Sequence, residues 1–339
     1  MEAVRTIPRE IDWAEAYVGG DYLLLRTSER RNHHLNAVIW RCAVREFNDF
    51  NAFFAEFGRM CAGREVVIAL GDSNTAGDRA WPRRLAEQDS AIDEVAVLNL
   101  SDFDQVVDQQ TYRLRLGASH PSLARASRRT VVYLGGLVDV ERRLVYHLDF
   151  LAGRRSSPLL RSETELAEDI YGSEIARLLR QIPSDEDEAQ RWIARRTVAA
   201  VKILDRICAD LGHRFLAVLQ PLCYQDLVPA YMQFLKRGYT QESHELTFEQ
   251  WCAKWPFFID ADDRFKLPVR PYLDRLRDLW QREAAKSSHG RYIDAAASFE
   301  AVSECPYGDQ GVGQDAVHYN DEGAHFIARM ILSLSRDDV

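Results

Sequence analysis

The feature that most constrains this chain is a series of short apolar runs, each too brief for a core helix and several closed by turn residues. The strongest is Glu65-Val-Val-Ile-Ala-Leu70, which ends at Gly71. A run that is apolar at nearly every position, with no polar alternate, suits a strand covered on both faces, as in a parallel sheet. Similar runs lie at Val95 to Leu100, Thr130 to Leu134 and Phe215 to Leu219, with a shorter one at Tyr292 to Asp294. Helical sequence separates most of them. The best-marked helix begins at Ser184, with Asp187 three residues on as a capping-box-like pair. It continues through Val198, Val201, Leu204, Cys208 and Leu211 and stops at Gly212. Strands and helices in this alternation predict a doubly wound α/β sheet with right-handed crossovers.

Two stretches exceed what a five-strand unit of this kind needs, about 140–183 and 221–290, and both read as helical insertions. The second holds nine aromatics between Tyr224 and Phe258, among them Trp251 and Trp255. Loops leaving the carboxyl ends of parallel strands border the binding crevice, so this insertion is placed to form a lid or pocket wall, or to build a small core of its own. Residues 1–62 read as an N-terminal extension packed on the core. Within it, Phe47, Phe50, Phe54 and Phe57 recur at i+3 and i+4 spacing and predict a helix from Ala43 to Arg59. Absent any repeat or low-complexity linker, residues 63–339 are expected to form one elaborated domain.

Composition narrows the function. The 339 residues are 46% apolar and 28% charged, an ordinary globular balance, and a formal charge of -9 disfavours nucleic acid as a partner. The short basic clusters at Arg26 to Arg31 and Arg125 to Arg129 are expected to be solvated faces. Charges are spread through the first thirty residues, and no apolar run reaches the length of a bilayer span, so the expected location is the cytoplasm, without a membrane partner. The six cysteines lack CxxC spacing and read as reduced thiols. His33-His34 and Asp260-Ala-Asp262-Asp263 lack the partners a metal site needs, and neither GxGxxG nor GxxxxGK[ST] occurs. No cofactor or metal is expected.

Two segments carry chemistry. Gly71-Asp72-Ser73-Asn74-Thr75 follows the strongest strand directly, and Trp81-Pro82 then opens a helix with proline in its first turn. That puts the Ser73 hydroxyl on a strand-to-helix turn, where backbone N–H groups can face an anion. Near the other end, Asp315-Ala-Val-His318-Tyr-Asn-Asp-Glu-Gly323 precedes an amphipathic helix through Phe326, Ile327, Met330, Ile331 and Leu334. On one short loop, the Asp315 carboxylate can hold the His318 imidazole in the tautomer that accepts a serine proton.

Together these blocks resemble the SGNH/GDSL hydrolase superfamily, as do Trp81-Pro82 and a strand ending in Gln220-Pro221. The resemblance implies a flavodoxin-like three-layer α/β/α sandwich with a parallel sheet. It also implies Ser73 as nucleophile, His318 as general base and then acid, and Asp315 as the orienting carboxylate. The oxyanion and substrate-binding positions it implies are Ser73, Asn74, Asp104 and Gly136. Two family blocks are altered. Asp104 stands where a glycine is expected, and Gly135-Gly136-Leu137-Val138-Asp139 has Val138 in place of the asparagine that donates a side-chain amide. Loss of one such donor costs about 10²–10³ in rate in acyl hydrolases. A backbone N–H at Gly135 or Gly136, or the amide of Asn74 or Asn99, is available to substitute, or the reaction needs less oxyanion help.

The expected activity is therefore that of a serine-dependent esterase, thioesterase or deacetylase acting on a small-molecule or carbohydrate ester. An acyltransferase using the same acyl-serine, or a weakly catalytic binding protein, are the alternatives.

Overall fold

In the computed structural model, the described residues are 14–17, 22–27, 44–47, 58–59, 61–76, 80–88, 94–101, 106–140, 143, 186–221, 269–300 and 318–336. The apolar runs are joined there into one sheet. In chain order its strands are β1 (Ala14–Tyr17), β2 (Tyr22–Thr27), β3 (Val44–Phe47), β4 (Glu65–Gly71), β5 (Val95–Asn99), β6 (Arg128–Gly135), β7 (Arg214–Leu219) and β8 (Arg291–Asp294). Their spatial order is β3-β1-β2-β5-β4-β6-β7-β8. The five strands from β4 to β8 are mutually parallel and run 2-1-3-4-5 across the sheet, the flavodoxin-like order.

Parallel neighbours cannot be joined by a tight turn, so each connection crosses a face of the sheet and covers it. α1 (Ser73–Ala76) and α2 (Trp81–Ala86) connect β4 to β5, and α3 (Val107–Ala118) connects β5 to β6. α4 (Glu186–Asp210) leads into β7 and α5 (Val269–Ala284) into β8; α6 (Ala295–Glu300) and α7 (Asp321–Arg336) follow. α2 packs on α7, while α4 packs on both α3 and α5, which gives the two helical layers of an α/β/α sandwich. Central β4 has no exposed side chain from Val66 to Leu70. Full burial of a valine, leucine or isoleucine contributes about 1.5–3 kcal/mol, so this strand anchors the core.

Local chemistry sets the element ends. Proline lies in the first turn of α2. After α4, Gly212 takes φ +66, with His213 N–H donating to Cys208 O at 2.8 Å and Gly212 N–H to Ala209 O at 3.1 Å, a Schellman ending. The last turn of α7 meets three arginines, each the first residue of its strand. Arg128 Nη1 donates to Ser335 O at 3.0 Å, Arg214 Nη1 to the same carbonyl, and Arg291 Nη1 to Leu334 O at 3.5 Å. Cations there complement the helix dipole. Arg128 is thus a helix-capping group where a solvated face was expected.

The expected helix at Ala43 to Arg59 differs at its start. Val44–Phe47 is a strand, paired antiparallel with β1 from Ala14↔Phe47 to Tyr17↔Val44. A β-branched and an aromatic residue suit a strand, and backbone pairing with β1 prevails over extending the phenylalanine periodicity backwards. Through β2, parallel to β5, the N-terminal segment continues the sheet. The thiols of Cys61 and Cys208 are free and buried. No helix among the described residues is long and apolar enough to cross a membrane. The aromatic stretch from Tyr224 to Phe258 lies outside the described residues.

Gly71 is the most sterically demanding position of this frame. At φ +154, a Cβ there would lie 2.3 Å from Thr75 Oγ1 and 2.4 Å from Leu134 O. Gly63, at φ +77, has nothing within 4 Å of such a Cβ. Gly63→Ala should therefore cost about 1 kcal/mol of backbone strain. Gly71→Ala should cost about 3 kcal/mol or more, because backbone as well as side chain must move. Urea unfolding of the two variants tests this, and equal midpoints would contradict it.

Candidate active site

The two motifs meet at the carboxyl ends of β4 and β6. In the 2-1-3-4-5 order, connections from these neighbours leave toward opposite faces, and the crevice between them is where open α/β sheets take ligands. A cavity of about 290 Å³, lined by Lys202, Asp205, Glu283, His289 and Tyr292 among others, lies at the other edge, where β8 begins. None of its described lining residues belongs to either motif.

Ser73 opens α1, separated by Asp72 alone from the end of β4 at Gly71. The turn is shaped by Asp72, which is buried. Its carboxylate Oδ1 accepts the Asn74 N–H at 3.0 Å, and its carbonyl accepts the N–H groups of Thr75 and Ala76, each at 2.9 Å. Side chains brace the same turn from three sides. Trp81 Nε1 donates to Thr75 Oγ1 at 3.2 Å, Asn99 Nδ2 to Thr75 O at 2.7 Å, and Gln110 Nε2 to Gly71 O at 2.8 Å. All of these groups are buried, where a neutral hydrogen bond contributes about 1 kcal/mol and an orphaned partner costs more.

His318 lies in the bend before α7, half-buried like Ser73. Ser73 Oγ and His318 Nε2 are 3.1 Å apart although 245 residues separate them. With its proton on Nδ1, the imidazole accepts the serine O–H through Nε2. Immediately beside this contact, Tyr319 N–H donates to Asn74 Oδ1 at 3.1 Å. Burial, and then the nearby Asp72 charge, push the Tyr319 hydroxyl well above its ordinary pKa and keep it protonated. Asp315 and Asp104 lie outside the described residues.

An oxyanion needs donors that are not already engaged. Asn74, Thr75 and Ala76 N–H all point to Asp72, whereas Ser73 N–H and Gly136 N–H make no hydrogen bond among the described residues. The Asn99 amide is committed at both ends, to Thr75 O and, through Oδ1, to Ser101 N–H at 3.0 Å. Asn74 Oδ1 is committed to Tyr319. Gly136 has φ +127, and a Cβ there would approach Leu219 Cδ1 to 2.7 Å, so glycine is required. Val138, in the helical turn at 137–140, is buried and brings no donor.

The following residue, Asp139, anchors this turn, a role not evident from the sequence. Its Oδ1 accepts the Val107 N–H at 2.8 Å and Arg143 Nη1 at 3.0 Å, and its Oδ2 accepts the Tyr133 hydroxyl. Arg143 Nη1 also donates to Thr197 Oγ1 at 3.1 Å, tying α4 to the group. Burial, with the Asp139 charge added, raises the Tyr133 pKa well above its usual value, so the phenol stays a donor. Both ions are 1% exposed, and removing one charge leaves the other uncompensated. Arg143→Met should therefore cost about 3–5 kcal/mol. Arg84→Met, which breaks the solvent-facing pair with Asp321, should cost less than about 1 kcal/mol. Chemical denaturation checks the contrast, and comparable losses would mean that the buried pair contributes no more than a surface one.

No protein-family model matches the chain, and no curated protein matches it in sequence. Several solved structures are similar. One is a member of the lipolytic protein G-D-S-L family from Veillonella parvula DSM 2008, at 15% identity and TM-score 0.41, covering 80% of this chain and 100% of that one. Another is a lipolytic protein of the G-D-S-L family, described as putative, from Desulfitobacterium hafniense DCB-2, at 11% identity and TM-score 0.42, covering 79% and 98%. A third is a variant of Axe2, an acetyl xylan esterase from Geobacillus stearothermophilus, at 14% identity and TM-score 0.40, covering 82% and 98%. By the order of its sheet and the meeting of its two motifs, the chain is similar to the SGNH/GDSL hydrolases.

Proposed function

We propose that this chain is a serine-dependent hydrolase of the SGNH/GDSL type that cleaves small-molecule or carbohydrate esters through an acyl-Ser73 intermediate. The observation that carries the reading is the 3.1 Å contact between Ser73 Oγ and His318 Nε2 at the switch point of the sheet. Ser73 Oγ attacks the ester carbonyl carbon while His318 Nε2 takes its proton. The imidazolium then gives that proton to the departing alcohol oxygen as the C–O bond breaks. Water repeats the sequence on the acyl-serine, releasing the acid and restoring Ser73. Asp315 is proposed to accept from His318 Nδ1–H and hold the reactive tautomer.

The oxyanion is proposed to rest on backbone amides, those of Ser73 and Gly136 and, from the sequence that follows β5, that of Asp104. Valine at position 138 removes the side-chain donor the family uses, which favours slow turnover. This same observation supports the second reading, a binding protein that kept the catalytic residues with little chemistry.

A fluorophosphonate probe needs an activated serine and no knowledge of the substrate. Wild-type protein should label, and Ser73→Ala should abolish labelling and esterase activity while unfolding as cooperatively as before. Labelling that survives in Ser73→Ala would identify another nucleophile. His318→Ala should lose nearly as much, and Asp315→Ala should keep a measurable remainder. For the oxyanion, Val138→Asn should raise nitrophenyl acetate turnover about tenfold or more, part of the roughly 10²–10³ one donor can supply. An unchanged rate in a protein that labels fast would mean that existing amides already fill the role. An absence of labelling in both proteins would favour the binding protein.

A further inference from the structure

The Ser73 to His318 contact requires two segments 245 residues apart to meet within a few tenths of an ångström, and something must set that distance. α7 fixes its own end of the histidine loop, since Asn320 Oδ1 accepts the Gly323 N–H at 2.9 Å and Asn320 O accepts the Ala324 N–H at 3.0 Å. From the Ser73 side, polar links between described residues reach across. One is Arg84 Nη2 to Asp321 Oδ1 at 2.8 Å, with Asp321 58% exposed, so water and salt compete for it. Another joins Asn74 and Tyr319 at 3.1 Å, with both residues buried.

We infer that Asn74 is a positioning residue: by accepting the Tyr319 N–H, its side-chain oxygen holds the loop carrying His318 at hydrogen-bonding distance from Ser73. The two contacts are adjacent in both motifs, Ser73 with His318 and Asn74 with Tyr319, so the second fixes the register of the first. The chemistry accounts for the residue type. The acceptor must be short, because its backbone is already held by Asp72 Oδ1 at 3.0 Å. A neutral acceptor is preferred, because a second carboxylate would stand beside the buried Asp72. An asparagine meets both demands. This role differs from the oxyanion function expected of Asn74, and it rests on the proposed Ser73 and His318 chemistry.

The test compares wild type with Asn74→Leu, which keeps the branch at Cγ and the heavy-atom count but removes the acceptor, and with Asn74→Asp, which keeps an acceptor. Per folded molecule, Asn74→Leu should lower kcat and the fluorophosphonate labelling rate roughly ten- to hundredfold, the scale of a misplaced catalytic group. KM should stay within about twofold. Asn74→Asp should recover most of the labelling rate. Among the described residues, the charged and titratable groups beside the bridge include His318, Asp72, Tyr319 and the Arg84 and Asp321 pair. An added carboxylate among them favours the imidazolium, so the acid limb of kcat/KM should move to higher pH in Asn74→Asp. A merely structural role would lower the melting temperature of Asn74→Leu and leave its kcat and labelling rate unchanged, and that result overturns the inference.

Should wild type fail to label, the hydrolase reading falls. The bridge is then judged by NMR titration of the His318 imidazole. A titration curve displaced in Asn74→Leu supports the bridge, and identical curves overturn it.

Discussion

The structure depends on the burial of β4 between β5 and β6. A strand whose side chains from Val66 to Leu70 are wholly enclosed cannot shift register without exposing them, so the point at which it ends is fixed in space. It ends at Gly71, where a Cβ would strike Thr75 and the Leu134 carbonyl. The chain must turn there, and the residue it presents after Asp72 is Ser73. The position of Ser73 is thus a consequence of core packing on one side and of backbone sterics on the other.

Polar groups finish what packing begins. Asp72 engages three of the amides around the turn, and Thr75, Asn99, Gln110 and Trp81 tie it to β5, α2 and α3. Behind β6, Asp139 does a similar service for the second glycine-rich turn, joined to Tyr133, Arg143 and Val107. Because these groups are buried, each donor left without an acceptor would be costly, and the arrangement has little freedom to relax. What remains disengaged is informative for that reason. The Ser73 and Gly136 amides make no hydrogen bond among the described residues, at the carboxyl ends of β4 and β6.

Much of the sheet was legible in advance. The runs at 65–70, 95–100, 130–134, 215–219 and 292–294 all became strands, since an apolar run of that length has few other ways to bury itself. The helix stopping at Gly212 was legible because positive φ there favours glycine. The strand at Val44–Phe47 was not. Its partner, β1, carries no signal in the sequence around 44, and strand pairing depends on a neighbour rather than on local pattern. Arg128, which opens β6, was misread for the same kind of reason: only the path of α7 brings its last carbonyls to that arginine and to Arg214 and Arg291, which open β7 and β8.

At the site, the chemical groups were legible in advance: a serine on a strand-to-helix turn and a histidine before the last helix. These follow from residue identity and from local rules for strand ends and helix starts. Only the tertiary structure decided that Ser73 Oγ and His318 Nε2 lie 3.1 Å apart, that the Asn99 amide is engaged, and that Asn74 reaches Tyr319. The reason is physical. Hydrogen bonds act over about 3 Å, and no local pattern encodes a distance between groups 245 residues apart until the packed sheet and helices bring them together.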